Sequence, residues 1–206
     1  MTQPGRREQH KLVTRQALQD AALRMFEQHG YAATTVRDIA TAAGVTERTF
    51  FRYFPSKEDL VLGEIVDLIP VLQEQVRARP AGESPYTAVL HAVLAIACRR
   101  GTGLGIMFSG PPARFLSQAT RPAQSVLREL EDGLAQALHT RLSPGPGDSD
   151  GASPRRPSLA ASVLARACVA AMRSTLIVYS GLPDREKTLD RALELLREAF
   201  AALRQG

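Results

Sequence analysis

Apolar residues recur at spacings of three and four along almost the whole chain, and no stretch alternates with the two-residue period of a strand. The pattern predicts an all-α protein. A first helix is expected from about Val13 to Gln28, with Leu18, Ala21, Ala22, Met25 and Phe26 on one stripe and His29-Gly30 at its end. A second starts at Thr35, whose hydroxyl caps it while Asp38 stands three residues on. Val36, Ile39, Ala40 and Ala43 make its inner face. Gly44 then permits a tight turn. Thr46 caps a third helix, and Val45 with Phe50 occupies the two positions of a hydrophobic staple. Pro55 stops that helix. Ser56 caps a fourth, running to about Arg79, with Glu58 and Asp59 in its first turn favouring the dipole.

Helical spacing continues beyond Pro80. One helix is expected from Ser84-Pro85 to Arg100, and Gly and Pro interrupt Gly101 to Pro112. A further helical region, broken at Pro122, ends near Leu142. Residues 143–157, SPGPGDSDGASPRRP, hold four Pro and three Gly and read as a mobile connection. Two last helices follow, about Ser158–Ser180 and Asp184–Arg204. The first is apolar nearly all round, but Arg166 and Arg173 punctuate it, which argues against a membrane span. Such a helix must be buried on two sides, most simply against its own core and against a partner. The last helix offers a matching stripe of Leu189, Ala192, Leu193, Leu196, Ala199, Phe200 and Leu203. The expected organisation is therefore a flexible basic arm over 1–11, a small domain over 12–60 and a larger helical domain over 61–206.

Two short helices joined at a glycine turn are the layout of a helix-turn-helix DNA reader. At about 100° per residue, Phe50 and Phe54 fall on one side of the third helix, with Arg48 and Arg52 nearly opposite. Thr49 and Phe51 flank the arginines, and Glu47 sits at the N-terminal tip. The apolar side can be seated on Met25, Phe26, Ile39 and Ala40 while the cationic side faces a groove. The chain contains no Asn and this helix no Gln, so the usual bidentate reader of adenine is missing. Arg48 or Arg52 would favour guanine, Glu47 would accept from cytosine N4, and Thr49 would meet a thymine methyl, which together predict a half-site dependent on G·C pairs. The bland alternative for Arg48, Arg52 and Glu47 is a solvated surface.

Charge alone would not have named DNA. The net charge is +5, and nine Lys/Arg against seven Asp/Glu in residues 1–60 compare with seventeen against fourteen in the rest. Cys98 and Cys168 lie in helical patterns and read as small buried hydrophobes, which suits a reducing cytosol. The start MTQPGRREQHKL has no apolar signal core, and a cytoplasmic location without membrane attachment is expected. His10, His29, His91 and His139 show no metal spacing. GTGLG at Gly101–Gly105 follows a helix rather than a strand. No catalytic constellation, metal or cofactor is therefore expected.

The segment TTVRDIATAAGVTERTFFRYFPSKEDL, preceded by a helix ending in HG, resembles the N-terminal signature of the TetR family of bacterial regulators over roughly residues 13–62. Its FFRYFPSK form is similar to a subgroup related to mycofactocin-system regulators. The resemblance implies an all-α homodimer with a three-helix DNA-binding domain and a variable helical ligand-binding domain. It places Thr35 and Arg37 on the DNA backbone and Thr46, Glu47, Arg48 and Thr49 at the bases. Tyr53 and Lys57 fall at its phosphate positions. Phe51 stands where many members have Tyr, keeping apolar contact but losing a hydroxyl bond. The last two helices would form an intersubunit bundle, so that a two-fold dimer reads a palindromic operator. For a small, apolar effector the candidate pocket residues are His91, Met107, Phe108, Phe115, Met172 and Tyr179, with Tyr86 as a further polar contact and plain core packing as the alternative for each. The function so implied is a ligand-responsive repressor. An architectural or activator-type DNA binder without effector is the alternative, and a helical enzyme a more distant one.

Overall fold

The computed structural model describes residues 5–99, 123–143 and 156–205. Among these residues the regular elements are helices and no strand occurs. In chain order they are α1 (Arg6–His29), α2 (Val36–Ala42), α3 (Glu47–Tyr53), α4 (Lys57–Arg77), α5 (Pro85–Arg99), α6 (Ala123–Leu142), α7 (Leu159–Ser180) and α8 (Leu189–Gln205). The described residues fall into two compact units: residues 5–64 make one, and residues 65–99, 124–143 and 156–205 the other.

In the first unit α1 packs on α2 and α2 on α3. Phe50, Leu18, Ile39 and Leu60 are fully buried at the centre, with Phe26 and Phe54 beside them. Phe50 and Phe54 lie 5.8 Å apart, ring centre to ring centre. Val45 and Phe50 both join this cluster, as the staple spacing requires. Gly30 and Gly44 have φ of +79° and +69°, the left-handed region that other residues enter only under strain, and they end α1 and α2 respectively. One expectation needs correcting. Residues 6–11 form the first turns of α1 instead of an arm, because nothing between Gly5 and Leu12 breaks a helix. The Gly5 carbonyl accepts from Glu8 and Gln9 N–H, and Glu8 favours the dipole.

In the second unit α5, α7 and α8 pack on one another. α8 contributes Ala192, Leu196 and Phe200, α5 contributes Ala88, Val89 and Ala92, and α7 contributes Ala165, Cys168 and Met172. Burial pushes the Cys168 thiol up to about 12, so it behaves as an inert apolar side chain. The side chain of Cys98 lies outside the described set. The far half of α4 meets α6 closely: Gln73 Nε2 donates to the Gly133 carbonyl at 2.8 Å. A Cβ on Gly133 would stand 2.6 Å from Ile69 Cγ2. Pro70, within α4, faces water. A second correction concerns α8, which starts at Leu189 and not at Asp184. Residues Asp184–Glu186 close a separate tight turn, and the Thr188 hydroxyl accepts from Arg191 N–H to cap the helix.

α7 is long and apolar enough to cross a membrane by length and composition, the one such helix among the described residues. Its inner face packs against α5 and α8, as a core helix does. Its other side leaves Leu159, Val163, Ile177 and Val178 exposed, and Leu189 at the start of α8 is exposed too.

Candidate nucleic-acid interface

Helices α2, α3 and α4 are each started by a side chain three residues from its partner. Thr35 accepts from Asp38 N–H at 3.2 Å, while the Asp38 carboxylate accepts from Thr35 N–H at 2.9 Å and from its hydroxyl at 2.6 Å. This is a complete capping box, and the Thr35 hydroxyl and backbone bonds hold the Asp38 carboxyl below the usual range. Thr46 accepts from Thr49 N–H at 3.2 Å, and the two hydroxyls lie 3.1 Å apart. Ser56 caps α4 by accepting from Asp59 N–H at 3.0 Å, and donates back to the Asp59 carboxylate at 2.7 Å.

With Phe50 fully buried, α3 is seated on its apolar side and presents the other. Glu47, Arg48 and Arg52 are exposed, and among the described residues no protein group engages the Arg48 guanidinium. Arg52 lies over the Tyr53 ring at 5.2 Å. Phe51, half-exposed, meets Phe50 edge-on at 5.5 Å. Tyr53 is half-buried against the core. Thr35 and Arg37 are exposed at the start of α2. A short helix rigidly seated at its back, with two arginines, a carboxylate and two threonines at its front, has the chemistry to meet base edges and phosphates.

Lys57 is placed differently from a free phosphate donor. Its ammonium donates to the carbonyls of Tyr31 and Thr34, both at 2.7 Å, and lies 4.0 Å from the centre of the Tyr31 ring. Burial lowers its pKa, with neighbouring Glu58 opposing the shift. Tyr31 donates its hydroxyl to the buried Glu58 carboxylate, and burial, then this bond, raises the phenol's pKa. Thr34 donates its hydroxyl to the Gly30 carbonyl at 2.8 Å, completing the fastening of the α1–α2 connection. Sequence reasoning missed this network, because the pairs are 26 and 27 residues apart and nothing in the local pattern links them.

Of the six pocket candidates, Met172 and Tyr179 are buried on α7. His91 joins a polar cluster instead: its Nδ1 lies 3.0 Å from a Glu83 carboxylate oxygen and 3.3 Å from Arg79 Nη2, and Arg79 grips the same carboxylate with two nitrogens. The Arg79 guanidinium holds the Glu83 carboxyl down to about 2. Arg141, on α6, donates to the backbone carbonyls of Arg79, Pro80 and Glu83. Met107, Phe108 and Phe115 lie outside the described residues, and Tyr86 is half-buried on α5.

One long and two short helices, a glycine turn and a seated, cationic third helix define a helix-turn-helix domain. Residues 18–63 match the family described as "Bacterial regulatory proteins, tetR family". It is similar to the transcriptional regulator TcmR of Streptomyces glaucescens, with 41% identity over 93 residues, 45% of this chain and 41% of that protein. MftR of Mycobacterium tuberculosis, whose name ties it to mycofactocin biosynthesis, is 38% identical over 69 residues, 34% of this chain and 33% of its own. These matches therefore span well under half of either relative, and both are named as regulators, not enzymes. Over nearly the whole chain the fold is similar to Thermus thermophilus FadR, a TetR-family repressor crystallised with lauroyl-CoA. That similarity has 26% identity, a TM-score of 0.56 and coverage of 93% of this chain and 94% of that one.

Proposed function

We propose that the chain is a ligand-responsive transcriptional repressor that binds a palindromic operator as a homodimer in the cytoplasm and is released by a small apolar effector. The observation that carries the DNA reading is α3 itself: Phe50 buried behind it, Arg48 unengaged in front. Arg48 and Arg52 serve guanine, Glu47 serves cytosine and Thr49 and Phe51 meet apolar base or sugar surface. Thr46, at the start of α3, stands with these base-facing residues, and Thr35, Arg37 and Tyr53 hold the backbone. The exposed apolar residues of α7 and the exposed Leu189 of α8 support a two-fold bundle made by these helices from two copies. The effector class is supported by the lauroyl-CoA bound to the Thermus relative, together with buried Met172 and Tyr179 on α7.

The test is selection of duplexes from a random pool, followed by binding across salt concentrations with and without fatty acyl-CoA thioesters. A palindromic, G·C-bearing site, a steep loss of affinity with salt and release by acyl-CoA are the expected results. Arg48→Ala should relax discrimination at one base pair by about 1–3 kcal/mol. Equal weakening on every sequence would make Arg48 a phosphate contact and remove the G·C reading. A stable monomer in sedimentation at micromolar concentration would remove the palindrome.

A further inference from the structure

We propose that Lys57 acts on DNA binding as a positioning residue, through the start of α2, and not as a phosphate contact of its own. The inference rests on the DNA-binding reading above and departs from the role that family resemblance assigns to this lysine. Two of the three ammonium protons are committed to the Tyr31 and Thr34 carbonyls, and the head lies against the Tyr31 ring. Only the third proton is left for a phosphate unless part of this arrangement, made in a partly desolvated place where such bonds are strong, is given up. The adjacent Glu58 carboxylate, buried, is held by the Tyr31 hydroxyl. Residues 57 and 58 thus clamp one turn, 31–34, from two sides.

That turn leads directly into Thr35, the cap of α2, and Arg37, one residue inside it. The Thr34 carbonyl gripped by Lys57 belongs to the peptide bond whose nitrogen is that of Thr35, and this nitrogen donates to Asp38. The orientation of the α2 N-terminus, and with it the reach of Arg37, is therefore fixed by a lysine that need not touch DNA. Arg48, by contrast, has no such commitment among the described residues, and is free to be a contact in its own right.

The decisive variants are Lys57→Arg, Tyr31→Phe and Arg37→Ala, tested singly and in pairs on a duplex selected by the wild-type chain. Lys57→Arg keeps the positive charge but replaces a compact ammonium with a planar fork that cannot sit in the same bonds. Positioning predicts that Lys57→Arg and Tyr31→Phe each weaken binding about tenfold. It also predicts that Lys57→Arg flattens the salt dependence by about one charge contact, although no charge has been removed. Adding Arg37→Ala to Lys57→Arg should flatten it no further, since both remove the same contact. A stability defect alone would lower the unfolding midpoint without changing that slope.

The proposal is overturned if Lys57→Arg binds like the wild type, Tyr31→Phe is neutral and Lys57→Met flattens the slope additively with Arg37→Ala. Amide hydrogen exchange of the DNA-free protein separates this failure from failure of the DNA reading. Both Lys57→Arg and Tyr31→Phe should speed exchange in the first turn of α2, and unchanged exchange there would count against positioning even if no duplex is ever selected.

Discussion

In the first unit Thr35 bonds Asp38, Thr46 bonds Thr49 and Ser56 bonds Asp59, each pair three residues apart. In the second, Gln73 reaches Gly133 across 60 residues, and Arg141 reaches the Arg79 carbonyl across 62. The helix-turn-helix unit starts its helices with local polar bonds and then seats them on a few aromatic rings. The other unit caps its last helix locally too, but its long side chains reach backbone carbonyls across 60 and 62 residues, against the 26 and 23 that Lys57 spans within the first unit. A local device works in whatever context its helix is placed, whereas a distant clamp works only once both ends have found each other.

The largest effect expected is common to both units and tests whether each has its own core. Phe50→Ala and Phe200→Ala remove rings that are essentially inaccessible, and each should cost about 3–5 kcal/mol in urea unfolding. A loss under 1 kcal/mol at either position would mean that the ring is not holding its unit together. Next comes the α4–α6 crossing. Gly133→Ala gains about 1 kcal/mol of helix propensity, but its methyl meets the branched Ile69 side chain, and overpacking of that kind costs about 1–3 kcal/mol. The unfolding midpoint should fall. A rise would show that α4 and α6 separate easily at this point and that the crossing is soft.

Smaller again is the loss of a cap. Thr35→Ala and Thr46→Ala should each cost about 1 kcal/mol, with amide exchange accelerated mainly in the first turn of the helix concerned. Exchange that accelerates uniformly through the unit would instead make the caps part of its global cooperativity.

These local features are the ones that were legible in the sequence. Thr35 with Asp38, Gly44, the Val45–Phe50 staple and Pro55-Ser56 announce themselves within four residues, so the reader's helices and its buried and exposed sides follow from spacing alone. The same reasoning failed wherever the partner is remote. Lys57 looks like a free cation at a helix start until Tyr31 and Thr34 are brought to it, and His91 looks like an interior polar group until Glu83 and Arg79 flank it. The extra turns of α1 escape for another reason: Arg6 to Lys11 are a polar run with no apolar stripe, and periodicity cannot see a helix without one.

Acid titration separates the two kinds of polar contact most finely. Asp38 is held down first by the Thr35 hydroxyl, and Glu83 is held near 2 first by the Arg79 guanidinium, with His91 adding to it. A carboxyl lowered in the folded state stabilises fully above its ordinary value of about 4, and that stabilisation is lost as pH falls through the folded value. Both sites should therefore weaken the fold on the acid side, with the Glu83 contribution fading between about 4.5 and about 2. Arg79→Met should return the Glu83 carboxyl towards its ordinary value in an NMR titration while leaving Asp38 where it was. Thr35→Ala should do the reverse. If Arg79→Met left Glu83 low, the Arg141 clamp on the neighbouring backbone, and not the guanidinium on its carboxylate, would be setting the field at that corner, and even the titration of the second unit would be governed by a residue from a distant helix.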